Sequence, residues 1–180
     1  MPERKKEWYN VYAPKVFDEK LIAEIPASDE KSLIGRRIDI RLDELTGNLS
    51  QVYTYLNFKI NKVDGKNAYT EIVGMEILRT YISTLVRKRR SLVEDLTKVT
   101  MDGKNVVIKY VIFFDTKVSS SVETAARKTV NDELEKISKN TNFDKLIKDI
   151  INRIIQKDLM LKLKKIAPIK RIEIRKIEIK

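Results

Sequence analysis

The tetrapeptide Asp-Gly-Lys-Asn occurs twice, at residues 64–67 and 102–105, each time between runs of β-branched and aromatic residues. Glycine takes positive φ without steric cost and aspartate tolerates it. An Asp-Gly pair therefore fits the two-residue turn whose twist matches two paired strands. Two hairpins are expected, one joining residues 52–63 to 67–73 and the other joining 92–101 to 106–116. The repeated order of hairpin and then helix raises the question of internal duplication. A shared four-residue turn is weak support for it, because unrelated hairpins converge on the same turn chemistry.

Helical spacing follows each hairpin. Met75, Leu78, Ile82, Leu85 and Val86 recur at intervals of three and four and predict a helix over 75–89. After the second hairpin, Ser120 and Glu123 have the spacing of a capping box, and Val122, Ala126, Val130, Leu134 and Ile137 form an apolar stripe. Asn140-Thr141-Asn142 interrupts that helix, and Phe143, Leu146, Ile147, Ile150, Ile151, Ile154, Ile155 and Leu159 mark one more, which gives an antiparallel helical hairpin. Residues 21–27 and 35–42 read as short strands, with Arg37, Asp39 and Arg41 alternating against Ile38, Ile40 and Leu42. Beyond the break at Pro168, isoleucine stands at 172 and 174 and then at 177 and 179. A regular strand would put the two pairs on opposite faces. A β-bulge at Arg175-Lys176 would keep all four on the buried one.

The fold class is therefore α+β: a β-rich, barrel-like or strongly twisted sheet domain built on two Asp-Gly hairpins. One helix follows the first hairpin, and a C-terminal helical hairpin leads into a closing strand. Along the chain this divides into an extended aromatic and basic segment (1–20), a β-rich core with one helix (21–118), the helical hairpin (119–167) and a strand returning to the sheet (168–180).

Charge narrows the function. Lys and Arg number 37 against 26 Asp and Glu, a net charge of +11. Many charges of both signs could reflect stability at high temperature, but an excess of one sign repels itself unless an anionic partner is present. With no cysteine there is no disulfide framework, thiol nucleophile or cysteine-ligated zinc, and with no histidine the commonest metal ligand and general base is missing. The five glycines form neither a dinucleotide fingerprint nor a phosphate loop. Apolar runs such as 110–114 are strand-length, and the charges of residues 3–6 precede no apolar core, so neither a membrane span nor a signal peptide is expected and the cytoplasm is the default. Ser119 to Ser121 beside Lys117 could pair a serine with a lysine base, but a helix cap explains them more simply. Glu94-Asp95 and Asp43-Glu44 could hold magnesium, but among 26 acids such neighbours arise by composition. No catalytic residue, metal ligand, cofactor or small-molecule substrate is expected.

The basic residues are gathered in three places. On the expected helix Arg79, Ser83, Arg87 and Arg90 form a stripe opposite the apolar face, and Lys88 and Arg89 complete four consecutive cations. A helix C-terminus favours cations through its dipole, which accounts for some of the four. Residues 157–180 hold nine Lys or Arg against three acids, Lys162, Lys164 and Lys165 among them. Arg4, Lys5 and Lys6 adjoin Trp8, Tyr9 and Tyr12. Aromatic rings beside cations can stack on unpaired bases while the cations hold the backbone. They serve equally well as anchors packed against a core.

Residues 6–17, Lys-Glu-Trp-Tyr-Asn-Val-Tyr-Ala-Pro-Lys-Val-Phe, resemble the opening signature of the archaeal and eukaryotic small-subunit ribosomal protein family S-three-A-e, also called eukaryote-type S-one. The likeness continues through Gly35-Arg36 and Leu42-Asp43-Glu44-Leu45, through Gly65-Lys66-Asn67 and Gly74-Met75-Glu76, and through Thr100-Met101-Asp102-Gly103. These blocks cover most of residues 6–116, whereas the helical part matches mainly in pattern. The resemblance implies a compact archaeal-type member without the longer basic C-terminal extension of eukaryotic members. It also implies a β-rich domain on the platform of the small subunit near the messenger exit. Ribosomal RNA and neighbouring platform proteins would be its partners, with messenger RNA close by and no catalysis. It carries an RNA-contact role onto Lys6, Trp8, Arg36, Lys66 and Arg87 to Arg90. With their neighbours Lys5 and Arg37, and with Arg79, Lys162, Lys164 and Lys165, these make up the candidate RNA-binding set. The competing readings are a free-standing nucleic-acid-binding regulator or chromatin protein, and a magnesium-dependent nuclease or transferase.

Overall fold

A computed structural model describes residues 6–180 and divides them into two compact units, the first ending at Gly74 and the second beginning at Met75. The described chain is mixed α+β, with eight strands and five α-helices.

The first unit contains β1 (Glu7–Tyr12), β2 (Leu21–Ala27), β3 (Arg37–Arg41), a short helix α1 (Leu42–Thr46), β4 (Thr54–Asp64) and most of β5 (Asn67–Ile77). β1 runs antiparallel to β2 and parallel to β5, and β4 lies between β5 and β3. β2 and β3 are thus unjoined ends, and the sheet is open, not a closed barrel. Alternation decides which side chains go inside. Tyr9 and Val11 of β1 pack with Ala27, Leu33, Ile60 and Ala68, and partly buried Ile22, Ile25, Ile38 and Val63 surround them. Tyr12 stacks on Tyr69 at 6.0 Å between ring centroids, so Tyr9 and Tyr12 are anchors to the core.

In the second unit α2 (Arg79–Leu85) precedes β6 (Leu92–Met101) and β7 (Lys104–Phe114). Then come α3 (Ser120–Asn140), α4 (Phe143–Ile151), α5 (Ile154–Leu163) and β8 (Ile169–Ile179). β7 lies between antiparallel β6 and β8. It is buried almost throughout because both of its faces are covered. Val111 and Phe113 pack with Ile82, Tyr81 and Leu85 of α2. On the other face Tyr110 donates from its hydroxyl to Asn131 Oδ1 of α3 at 2.8 Å. Burial and the nearby Asp95 carboxylate push that phenol well above its ordinary pKa, so it stays a neutral donor. α3 packs on β6 and on α5, and α5 packs on β8.

β8 carries two irregularities against β7. Tyr110 faces Ile174 and Lys109 faces Lys176, which leaves Arg175 as an extra residue; Phe114 faces Ile169 and Phe113 faces Arg171, which leaves Lys170 as another. The bulge at Arg175 sets Ile172, Ile174, Ile177 and Ile179 opposite Ile112, Tyr110, Ile108 and Val106 on one face. The first three are fully buried and Ile179 is half-buried.

Several local expectations are corrected. Residues 75–77 belong to β5, and α2 spans only Arg79–Leu85. Met75 and Ile77 are buried with Glu76 between them half-buried, so a period of two prevails over the three- and four-residue spacing. Leu78, counted above as apolar face, is exposed. The third helix is two, α4 and α5, because Arg153 adopts a left-handed φ of 59° that no continuous helix permits. Three helices therefore stand where a hairpin of two was expected. Ser119, not Ser120, is the N-cap of α3, and its hydroxyl lies 2.9 Å from that of Ser121, so the capping box does not form. The two Asp-Gly-Lys-Asn segments also turn differently. The first has Gly65-Lys66 between strand ends, and the second has Asp102-Gly103 there, with both residues at positive φ. Asp102 then accepts the backbone N–H of Phe143 at 3.0 Å, serving the first turn of α4. Identical tetrapeptides in different turns fit convergence better than duplication.

Candidate nucleic-acid interface

α2 ends at Leu85 with Val86 in extended conformation, so the four cations that follow lie in the α2–β6 loop. The helical stripe of Arg79, Ser83, Arg87 and Arg90 therefore does not exist. Arg79 opens the helix, while Arg87 and Arg90 lie beyond its end. Arg87 folds back and donates from Nη1 to the carbonyl oxygens of Thr84 at 2.8 Å and Val86 at 3.2 Å. It thereby satisfies acceptors that the last helical turn leaves open. Arg89 has a φ of 62°, which reverses the chain into β6. Arg90 lies 3.4 Å from Asp115, which follows β7.

This loop meets the start of β8 at a cavity of about 320 Å³ lined by Leu85, Arg87, Phe113, Lys170 and Arg171. A narrower recess alongside adds Arg90 and Ser91. Successive residues of a regular strand point to opposite faces, yet Lys170 and Arg171 line the same cavity. The bulge at Lys170 accounts for this by re-aiming one side chain. Arg171 is fixed from behind, its Nε paired with Glu173 Oε1 at 2.8 Å and its Nη1 donating to the Tyr81 hydroxyl at 3.1 Å. Glu173 is 3% exposed, and burial raises its pKa against the opposing pull of Arg153 and Arg171. Among the described residues, no carboxylate pairs with Arg87 or Lys170. A concave surface with several cations, two of them without a carboxylate partner, attracts anions.

Residues 2–180 match the model of the Ribosomal S3Ae family. The chain belongs to this family. Among similar curated proteins is the small ribosomal subunit protein eS1 of Saccharolobus islandicus, 35% identical over 175 residues, covering 97% of this chain and 84% of that one. The proteins of the same name from Pyrobaculum islandicum and Saccharolobus solfataricus are each 34% identical, covering 79% and 84% of their lengths. This S3Ae member is of the archaeal type. The family is a ribosomal one and not an enzyme class.

The other expected contact residues of the S3Ae chain are scattered over both units. Lys5 lies outside the described residues. In the first unit Lys6 precedes β1 and is exposed, and Trp8 is 62% exposed on β1. Arg36 and Arg37 are exposed at the start of β3. Lys66, in the turn before β5, lies 3.5 Å from Glu7. In the second unit Arg79, Lys88 and Arg89 are exposed, as are Lys162, Lys164 and Lys165 at the end of α5. Lys162 is already engaged with Glu133 of α3, and together with Lys136 it holds the Glu133 carboxyl below its ordinary pKa. Only Arg87 and Arg90 of the set line the recess beside α2. Lys170 and Arg171 were not in it, because their convergence depends on a bulge whose only signal in sequence is the apolar Ile169 before two consecutive cations.

The carboxylate pairs are occupied structurally. Asp43 and Glu44 face Arg41 at 3.7 and 2.9 Å, and Glu94 faces Arg175 at 3.3 Å. Among the described residues no three acids converge so as to hold a metal ion, and no helix is long and apolar enough to cross a membrane.

Proposed function

We propose that this chain is a structural constituent of the small ribosomal subunit. It binds ribosomal RNA on the platform near the messenger exit, beside neighbouring platform proteins and close to messenger RNA, and so supports translation in the cytoplasm. The observation that carries this reading is the whole-chain kinship to proteins named small ribosomal subunit protein eS1. The net charge of +11 and the cavity formed by Arg87, Lys170 and Arg171 supply the chemistry. Affinity comes chiefly from neutralising phosphates and releasing counterions, while the fixed guanidinium of Arg171 adds directional hydrogen bonds.

Sedimentation of an extract from cells expressing the tagged chain tests the reading directly. Co-migration with small subunits is expected. Recovery only at the top of the gradient would overturn it in favour of a free-standing regulator or chromatin protein. Filter binding to small-subunit RNA across a salt series is expected to give a log-log slope of about −5 for six phosphates, at roughly −0.9 each.

A further inference from the structure

We propose that the cavity between the α2–β6 loop and the start of β8 receives one unpaired nucleotide of an RNA chain. This rests on the RNA-binding reading above and specifies what that surface selects. Three observations carry it. First, the volume of about 320 Å³ lies at the low end of the roughly 300–1,000 Å³ of small-molecule clefts, which suits one nucleotide and not a helical segment. Second, the lining is divided by chemistry. Buried Phe113 and half-buried Leu85 form an apolar floor, and exposed Arg87 and Lys170 form a cationic rim. A duplex presents phosphates, 2′-hydroxyls and base edges but no free base face, so it has no use for the floor, whereas a splayed base can lie on it. Third, one wall is preorganised. Arg171 is held by Glu173 at 2.8 Å and Tyr81 at 3.1 Å, so its remaining N–H groups meet a base edge without first being ordered.

The phosphate is held by Arg87 and Lys170. Arg87 spends Nη1 on the carbonyl oxygens of Thr84 and Val86, which fixes the guanidinium while other donors stay free. Lys170 reaches the same rim because the β8 bulge turns it there.

The test uses the full chain and two RNA hairpins with the same stem, one carrying a single unpaired 2-aminopurine and the other fully paired. Affinity is read by anisotropy, and the base's environment by its own fluorescence. The bulged hairpin is expected to bind about tenfold more tightly, in the range of one base stacked on a protein surface, with a change in 2-aminopurine emission. Arg87→Ala with Lys170→Ala is expected to bring the ratio close to one while the paired hairpin still binds through the other cations. Because Arg87 also caps α2, Lys170→Glu alone provides a second variant that leaves that helix end intact.

Equal binding of the two hairpins by the unaltered chain would overturn the nucleotide pocket and leave the RNA-binding reading standing. Failure to bind either hairpin at low salt would remove both. A preference that survives in both variants would put the selective contact elsewhere and overturn the proposal. So would adenosine monophosphate binding as tightly as the bulged hairpin, since the cavity would then be a site for free nucleotides.

Discussion

Arg171 Nε lies 2.8 Å from Glu173 Oε1, two residues along the same strand and on the same face of β8. Arg153 approaches the same oxygen at 4.0 Å from the turn between α4 and α5. Burial nevertheless outweighs both cations and raises the carboxyl pKa. The unfolded chain releases this proton at the ordinary glutamate value, and the folded chain releases it only at a higher pH. Between those values the folded state holds more protons, so stability falls as pH rises. Relative to Glu173→Gln, the unaltered protein is expected to be most favoured at the acid end and to lose that advantage as pH passes the folded value. Urea midpoints of the two proteins from about pH 4 to 8 check this; a constant difference would refute it.

Arg87→Glu combined with Arg90→Glu is expected to weaken RNA binding without unfolding the chain. Both side chains are exposed in a loop. The Arg90–Asp115 pair is worth about 0–1 kcal/mol at the surface. Losing two phosphate contacts should reduce the salt slope by about 2. Circular dichroism and filter binding measure the two effects separately.

Ile172→Asp is expected to cost several kcal/mol, because it puts a carboxyl without a partner on the fully buried face of β8. Thermal melting reads the loss. An unchanged melting temperature would mean that this face meets water.

Two single-residue deletions in β8 should behave differently. Removing Arg175 takes out the extra residue and leaves Ile172, Ile174 and Ile177 on one face, so only the 3.3 Å pair with Glu94 is lost. Removing Glu173 reverses the parity of the strand on one side of the gap. The first variant is expected to fold with a melting temperature close to that of the parent, and the second to unfold or aggregate on expression.

Tyr110→Phe is expected to destabilise by about 1 kcal/mol, since Asn131 Oδ1 still accepts from Thr97 and no acceptor is left wholly unpaired. Equilibrium denaturation compares the two proteins.

The strands flanking each Asp-Gly turn, the helix after the second hairpin and the C-terminal strand were legible because their signals are local. Turn chemistry, alternation and the parity of four isoleucines each act within a few residues. The same locality made 75–89 misleading, since apolar residues spaced by three and four also satisfy a strand followed by a shorter helix. Only packing around Met75 and Ile77 distinguishes the two. The break at Arg153 likewise has no turn residue to announce it beyond Asn152.

The family and the excess of positive charge were determined by sequence alone, because both are properties of residue identity and order. Which cations act together was decided only by tertiary structure. Arg87 and Lys170 are 83 residues apart in the chain, and they share a rim because a strand bulge and a helix end meet there. A phosphate responds to charges within a few ångströms, and separation along the chain does not fix that distance.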